Sequence, residues 1–206
     1  DAQPHSISFE AGKTLVQVAN LIDDFELRME QLDQARDQFT QFITEHPSHP
    51  EIGSARMQLG NVLVARGRTQ LERAKRPSNA EQQGPLEQEA KALFDEARTV
   101  FSGAEKDFEE QIKSYPTIID REQTELIAAR QRAKTNRMQS RLLTGQVLFE
   151  MAAAEPDGSE HRSELLRQAA DKFAEVYEDN RIVFGGLYAR MWQGRCFQEM
   201  GELKQA

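Results

Sequence analysis

Apolar residues return every three or four positions along most of the chain, which is the spacing of an amphipathic α-helix. The first such series spans residues 11–29 and comprises Leu15, Val18, Ala19, Ile22, Phe25 and Met29. A second helix is predicted at 32–45, whereas residues 1–10 show no period and are predicted to be a tail or an extended lead-in. The amino-terminal part of the chain is therefore predicted to contain two helices.

Two prolines mark a turn after the second predicted helix. Neither Pro47 nor Pro50 can continue a helix interior, and each restricts the residue before it to extended backbone. Beyond them the apolar period resumes over residues 51–75, at Ile52, Ala55, Leu59, Val62 and Leu63. A helix that ends at a proline turn and is followed directly by another amphipathic helix predicts a helix hairpin.

The remainder of the chain is also predicted to be helical. Turn residues cluster from Pro77 to Pro85 and predict a loop there. The apolar spacing then predicts four further helices, at 86–114, 118–154, 161–177 and 184–200. Two of these are much longer than the usual helix of about 11 residues. The fold class predicted from the pattern is all-α.

Three glycines recur in the same apolar setting, which indicates an internal repeat. Each has a large apolar residue three positions before it, and the pairs are Met57 with Gly60, Leu142 with Gly145 and Met191 with Gly194. Gly60 follows Phe39 by 21 residues, and Gly194 follows Phe173 by the same 21. The corresponding step from Phe94 to Gly145 is 51 residues, so the middle unit is predicted to be enlarged into a projecting pair of longer helices.

The hairpin at 35–67 carries a small residue, an aromatic residue four positions later, a proline turn and a Leu-Gly pair. These residues are Ala35, Phe39, Pro47, Pro50, Ala55, Leu59 and Gly60. The string resembles the tetratricopeptide repeat (TPR), and in particular the repeats of bacterial envelope proteins of the outer-membrane assembly lipoprotein and cell-division coordinator types. The resemblance implies a right-handed α-solenoid of TPR-like helix hairpins with an enlarged middle repeat of long helices. Residues 1–206 are predicted to be a single repeat domain and, because residues 201–206 stop where a further helix should begin, a fragment of a longer repeat protein. The resemblance implies a bacterial protein in the periplasm or another extracytoplasmic location.

The same resemblance implies a non-catalytic scaffold that binds a peptide or protein segment in a concave groove. Carried onto this chain, the groove would be lined by Asn61, Gln146, Tyr188, Arg195 and Gln198. The family's clamp for a peptide carboxylate needs a lysine where this chain has Met57, so recognition of chaperone tails is not predicted. Two alternatives remain: a structural or oligomerisation element of a larger envelope complex, and an enzyme whose site the sequence does not reveal.

A basic stripe on the long helix at 118–154 is a second candidate surface. Its residues, at steps of four, three and four, are Arg130, Lys134, Arg137 and Arg141. It could bind an acidic partner, or it could pair with the acidic residues of the preceding helix, which are Glu105, Asp107, Glu109 and Glu110. Interhelix pairing and solvation together are the favoured interpretation.

The charge balance bears on the class of partner. With 26 Lys and Arg against 34 Asp and Glu, the formal net charge is -8, and the field of the whole chain repels phosphate backbones. Nucleic acid is therefore not expected as a partner. Nor does any apolar run approach the roughly 20 residues that a bilayer requires, so no transmembrane segment is predicted.

Neither cysteine nor histidine predicts reactive chemistry. Cys196 is the only cysteine, which excludes an internal disulfide, and its apolar neighbours predict a buried side chain. His46 and His49 share a short turn in which two prolines oppose convergence on a metal, so both are predicted to be solvated turn residues. No catalytic residue, metal or cofactor is predicted.

Overall fold

The computed structural model describes residues 4–204, with side chains from Phe9 onward, and this part of the chain contains seven α-helices and no strand. The helices are α1 Pro4–Ala19, α2 Phe25–Glu45, α3 Ile52–Ala74, α4 Gln83–Ser114, α5 Thr124–Ala153, α6 Glu160–Asp179 and α7 Phe184–Glu199. A short 3₁₀-helix, Pro77–Gln82, lies between α3 and α4. The predicted all-α fold class is confirmed.

The chain divides into two compact units, Asp1–Val100 and Phe101–Ala206. The division falls inside α4, so the first unit holds α1, α2, α3 and the first half of α4. The second holds the remainder of α4 with α5, α6 and α7.

The core of the first unit is built around Phe39 of α2, which is fully buried. Phe9 of α1 meets its ring edge-on, with the two centroids 5.9 Å apart, and Gly12 lies beside the same ring. Burying Phe9 against this aromatic residue removes apolar area from water and stabilises a helix that the local sequence does not indicate. The extended lead-in predicted for residues 1–10 is therefore wrong from Pro4 onward, where α1 begins.

The prediction of one helix at 11–29 is also wrong, because the chain turns between Ala19 and Phe25. Asp24 begins α2 as its N-cap, and its side chain accepts a hydrogen bond of 2.9 Å from the amide of Leu27. The Arg28 guanidinium donates to the carbonyl of Ile22 at 2.9 Å and holds the turn. The apolar period runs through this break without glycine or proline, which is why periodicity joined the two helices.

The predicted hairpin of α2 and α3 is confirmed. α2 ends at Glu45, as predicted, and the amide of His46 donates to the carbonyl of Phe42 at 3.0 Å. The segment after α3 was predicted to be a loop, but residues 77–82 form the 3₁₀-helix. Within it, the Asn79 side chain caps the end of α3 by donating a hydrogen bond of 2.9 Å to the carbonyl of Arg73. α4 consequently begins at Gln83, earlier than predicted.

In the second unit, α5 begins at Thr124, six residues later than predicted. The amide of Glu122 donates to the Asp120 side chain at 3.0 Å, and this local turn competes with helix formation. Arg130 donates to the carbonyl of Thr117 at 3.3 Å and ties the segment before the helix to the helix itself. The two helices predicted after α5 are confirmed, each within about two residues at its ends.

One packing arrangement occurs three times among the residues that the structure describes. In each case an alanine and a phenylalanine four residues later are fully buried on one helix, and a glycine of the preceding helix lies against the phenylalanine ring. The sets are Gly12, Ala35 and Phe39; Gly67, Ala90 and Phe94; Gly145, Ala169 and Phe173. Glycine is required because a Cβ on Gly145 would lie 2.7 Å from the Phe173 ring, and one on Gly67 would lie 2.6 Å from Phe94.

These contacts refine the register of the repeat. Gly67 of α3 makes with the Phe94 ring the contact that Gly145 of α5 makes with the Phe173 ring. The predicted 21-residue step still relates the α2–α3 and α6–α7 hairpins, since matched positions 134 residues apart are buried in both. These pairs are Leu32 and Leu166, Ala35 and Ala169, Phe39 and Phe173, Ala55 and Ala189, and Val62 and Cys196.

Candidate functional site

Three of the predicted groove residues come together where α5 and α7 contact each other in the second unit. Gln146 of α5 donates a hydrogen bond of 3.4 Å to the Tyr188 hydroxyl of α7, joining residues 42 positions apart. Arg195 lies on the same side of α7, two turns after Tyr188, and is exposed. Gln198, also exposed, follows one turn later.

A row of aromatic side chains forms the apolar part of this surface, and of its four members only Tyr188 was predicted from the sequence to belong to the site. We define the aromatic row as Phe149, Trp192, Tyr188 and Phe184. The Phe149 and Trp192 rings meet edge-on with centroids 5.3 Å apart, and Tyr188 meets Trp192 in the same way at 6.2 Å. Phe184 stacks on Tyr188 at 6.3 Å. Edge-on and stacked contacts of this kind give the row a defined geometry.

The aromatic row is anchored on the hydrophobic core of the unit. Trp192 stacks on the buried Phe173 ring at 5.8 Å, and its own side chain is only half-exposed. The signal available in the sequence was the helical spacing of Tyr188 and Trp192, four residues apart, and of Gln146 and Phe149, three apart. Which other helix these residues face is decided only by the packing of α5 against α7.

Arg195 supplies the positive charge of the surface. The guanidinium carbon lies 5.1 Å from the ring centroid of Phe149 and 5.1 Å from that of Trp192, which is within cation–π range. No carboxylate pairs with Arg195 in residues 4–204. Its charge is therefore held in place by aromatic faces and remains available to an incoming anionic group.

The fifth predicted residue, Asn61, lies on α3 in the first unit and is half-buried. The prediction that it shares a surface with Gln146, Tyr188, Arg195 and Gln198 stays a prediction. The structure itself brings together Gln146 and Tyr188 by a hydrogen bond, with Arg195 joined to them through the aromatic row.

The basic stripe is largely engaged by groups of its own unit. Arg141 is buried and reaches Asp179 at 2.6 Å, Glu175 at 3.3 Å and Glu105 at 3.4 Å. The contact with Glu105 has ion-pair distance without hydrogen-bond geometry. Burial opposes the charge of Arg141, yet these carboxylates raise its pKa above the ordinary value. Arg141 is a structural ion-pair centre between helices, and two of its three carboxylate partners, Glu175 and Asp179, lie on α6 rather than on the preceding helix.

The other members of the stripe lie in more open surroundings. Arg130 donates to the carbonyls of Pro116 and Thr117, and Arg137 contributes to lowering the pKa of Glu109, for which Lys113 is the main cause. Lys134 is exposed. The last two turns of the stripe line a cavity of about 370 Å³ together with Ile112 of α4, Asp179 of α6 and Asn180, which caps the end of α6.

The histidine turn between α2 and α3 packs against Phe42. The His46 and His49 rings lie 5.4 Å and 5.1 Å from the Phe42 ring, both edge-on. His49 Nδ1 accepts a hydrogen bond of 3.1 Å from the amide of Glu51, which gives that ring a structural role in starting α3. Across the described residues, no group of three or more His, Cys, Asp or Glu side chains is placed to hold a metal.

None of the helices in the described range combines the length and apolar character needed to cross a membrane. Comparison of the chain with protein-family models, with curated proteins and with solved structures finds no match. The candidate site is thus defined by its geometry: an aromatic row between α5 and α7, one hydrogen-bonded polar pair, and a guanidinium that has no carboxylate partner within residues 4–204.

Proposed function

We propose that the chain is a non-catalytic protein-interaction scaffold whose helix hairpins form a right-handed solenoid of the TPR type. The observation that supports a binding role best is Arg195, an exposed guanidinium that rests on Phe149 and Trp192 and pairs with no carboxylate in the described part of the chain. A guanidinium held in this way can still donate charge-assisted hydrogen bonds to an anionic or carbonyl group of a partner. A bacterial extracytoplasmic location rests on the sequence resemblance alone and belongs to the same proposal.

The surface suits a peptide or protein segment by its mixture of groups. The half-exposed faces of Tyr188 and Trp192 provide rigid apolar area, which loses little side-chain entropy on binding. Gln146 and the Tyr188 hydroxyl offer donors and acceptors to a peptide backbone, and Arg195 recognises a carboxylate or a carbonyl oxygen. Surfaces with these features are typical of protein-binding hot spots.

The test compares partner capture by the wild-type protein with capture by the double variant Gln146→Ala and Arg195→Ala. We expect partners retained by the wild-type protein to be lost from the variant, while circular dichroism shows unchanged helix content. A matched control is Arg167→Ala with Gln168→Ala, which removes the same two residue types from an exposed part of α6. Equal capture by all three proteins would contradict the proposed surface.

The basic stripe provides a second candidate, the binding of an acidic partner. The exposure of Lys134 beside a cavity favours it, whereas the three carboxylates around Arg141 oppose it by supplying a sufficient internal partner. Reversing Arg130 and Lys134 to Glu tests this alternative. Partner capture lost in that variant and kept in the Gln146→Ala and Arg195→Ala variant would transfer the binding function from the α5–α7 surface to the stripe.

A further inference from the structure

The helices alternate in charge along the chain from α2 to α7. Acidic residues outnumber basic ones by five to two in α2, eight to four in α4 and six to three in α6. Basic residues outnumber acidic ones by four to one in α3, five to two in α5 and two to one in α7. The acidic helices are also the three that carry the buried Ala-x₃-Phe motif, at Ala35, Ala90 and Ala169.

Several ion pairs between helices follow this alternation, whereas Arg28 of α2 with Glu72 of α3, and Arg162 of α6 with Glu199 of α7, have the opposite polarity. Arg66 of α3 pairs with Asp33 of α2 at 3.0 Å, and Arg73 pairs with Glu26 at 3.1 Å. In the second unit, Arg141 of α5 meets carboxylates from α4 and from α6. A basic helix of this protein therefore packs against acidic helices, and α5 does so with two of them.

The basic helix α7 packs against one acidic helix, and its other side is uncovered in the described structure. It packs on α6, while Phe184, Leu187 and Met191 are 83%, 57% and 57% exposed. We define these three residues as the outer face of α7. They lie at positions i, i+3 and i+7, so they form one stripe along the helix.

The internal repeat shows that this stripe differs from its counterpart in the first unit. The positions of α3 that correspond to Leu187 and Met191, 134 residues earlier, are Gly53 and Met57, and both are buried. Met57 is 6% exposed where Met191 is 57% exposed. In the α2–α3 hairpin, the positions that correspond to Leu187 and Met191 are therefore covered by other residues of the protein.

Two arginines flank the outer face, and neither is paired with a carboxylate in the part of the chain that the structure describes. Arg190 lies at one edge, where it contacts the Gln193 side chain and the Tyr177 ring. Arg195 lies at the other edge, over Phe149 and Trp192. An apolar stripe between two available guanidiniums is complementary to apolar side chains flanked by carboxylates.

We propose that the outer face of α7 binds an acidic amphipathic helix of another protein, with a small residue and an aromatic residue four positions apart on its apolar side. The chain's own acidic helices have this composition, and they are what its other basic helices pack against. A helix fits better than an extended strand because the three apolar residues follow a helical ridge, into which the ridges of a second helix can pack. The inference rests on the proposed scaffold function and names the chemistry of its partner.

The test uses the full chain and a fluorescent synthetic peptide with the α4 sequence, residues 83–114, which contains Ala90 and Phe94 and an excess of carboxylates. Fluorescence anisotropy is expected to show saturable binding. The double variant Leu187→Gln and Met191→Gln is expected to weaken it at least about tenfold, because apolar contacts dominate such a groove. Arg190→Gln with Arg195→Gln is expected to weaken binding and to reduce its dependence on salt.

The matched control removes two other exposed apolar residues, Ile118 and Ile127, by substitution with Gln, and is expected to bind like the wild type. Circular dichroism verifies that every variant keeps its helix content. The inference is overturned if the peptide does not bind saturably, if Leu187→Gln and Met191→Gln leave the affinity unchanged, or if sedimentation shows that two copies of the chain pair through this face. Loss of peptide binding together with normal, Arg195-dependent partner capture would refute this inference and leave the proposed function standing.

Discussion

Gly145 decides how closely α5 and α6 approach each other, since the Phe173 ring occupies the space that a side chain would need. We expect Gly145→Ala to lower the free energy of unfolding by about 1–3 kcal/mol through overpacking, although alanine favours the helix by about 1 kcal/mol. Urea unfolding followed by circular dichroism measures the change.

Gly84→Ala is the matched control, because a Cβ at Gly84 in the first turn of α4 would meet nothing within 4 Å. The control is expected to be as stable as the wild type or more stable by up to about 1 kcal/mol. Equal stability of the two variants would mean that the ring of Phe173 moves aside at no cost, and the close approach would not be a determinant of the fold.

Cys196 is also fixed by packing, and it is fully buried as the sequence analysis predicted. Burial raises the pKa of its thiol to about 12, so almost no thiolate is present near neutral pH. We expect the native protein at pH 8 not to react with a thiol-specific disulfide reagent on the timescale of minutes. The reagent is expected to titrate one thiol once denaturant is added, and rapid reaction of the native protein would contradict the buried position.

At the scale of the elements, α4, α5 and α6 are joined by the carboxylates around Arg141. Lys172 is the main cause that lowers the pKa of Glu175, and Arg141 contributes to the same shift. A lowered pKa in the folded state means that the folded state binds this proton less readily than the unfolded state. The stabilisation is therefore present above the ordinary carboxyl pKa of 4.5 and is lost as the pH falls through the lowered value.

Thermal melting between neutral and acidic pH tests this contribution. Glu175→Gln is expected to lower the melting temperature near neutral pH. Below the ordinary carboxyl pKa, the difference in melting temperature between this variant and the wild type is expected to become smaller. Glu164→Gln, on the same helix and exposed, removes a carboxylate that contacts only the Gln168 amide in the described part of the chain. A constant difference between Glu175→Gln and the wild type at all pH values would show that charge is not the cause.

For the whole molecule, the net charge of -8 opposes polyanions even though α3 and α5 are basic. Much of the local positive charge is already neutralised, as at Arg66 and Arg141. We expect the protein to pass through a heparin column at physiological ionic strength and to leave the mobility of duplex DNA unchanged. Retention that disappears in Arg132→Glu with Lys134→Glu would instead identify the exposed part of α5 as an anion-binding surface.

The sequence by itself determined the features that depend on local chemistry and on helical spacing. Pro47 and Pro50 mark the end of a helix because proline cannot continue a helix interior. The buried alanine and phenylalanine pairs, such as Ala35 with Phe39, are recognisable because residues four apart share a helix face. These signals sufficed for the all-α class, the hairpins and the burial of Cys196. They failed where a tertiary contact or a single cap overrides periodicity, as Phe9 does for α1 and Asp24 for α2.

Only the tertiary structure decided which helix faces meet. The hydrogen bond from Gln146 to Tyr188 and the ring contact of Phe149 with Trp192 join residues more than 40 positions apart, and no local rule relates them. The exposed outer face of α7 is a comparable case, because Met191 and its buried counterpart Met57 are the same residue type in the same apolar setting. Spacing establishes that a helix has an apolar face, whereas the position of the neighbouring helices establishes whether that face is covered.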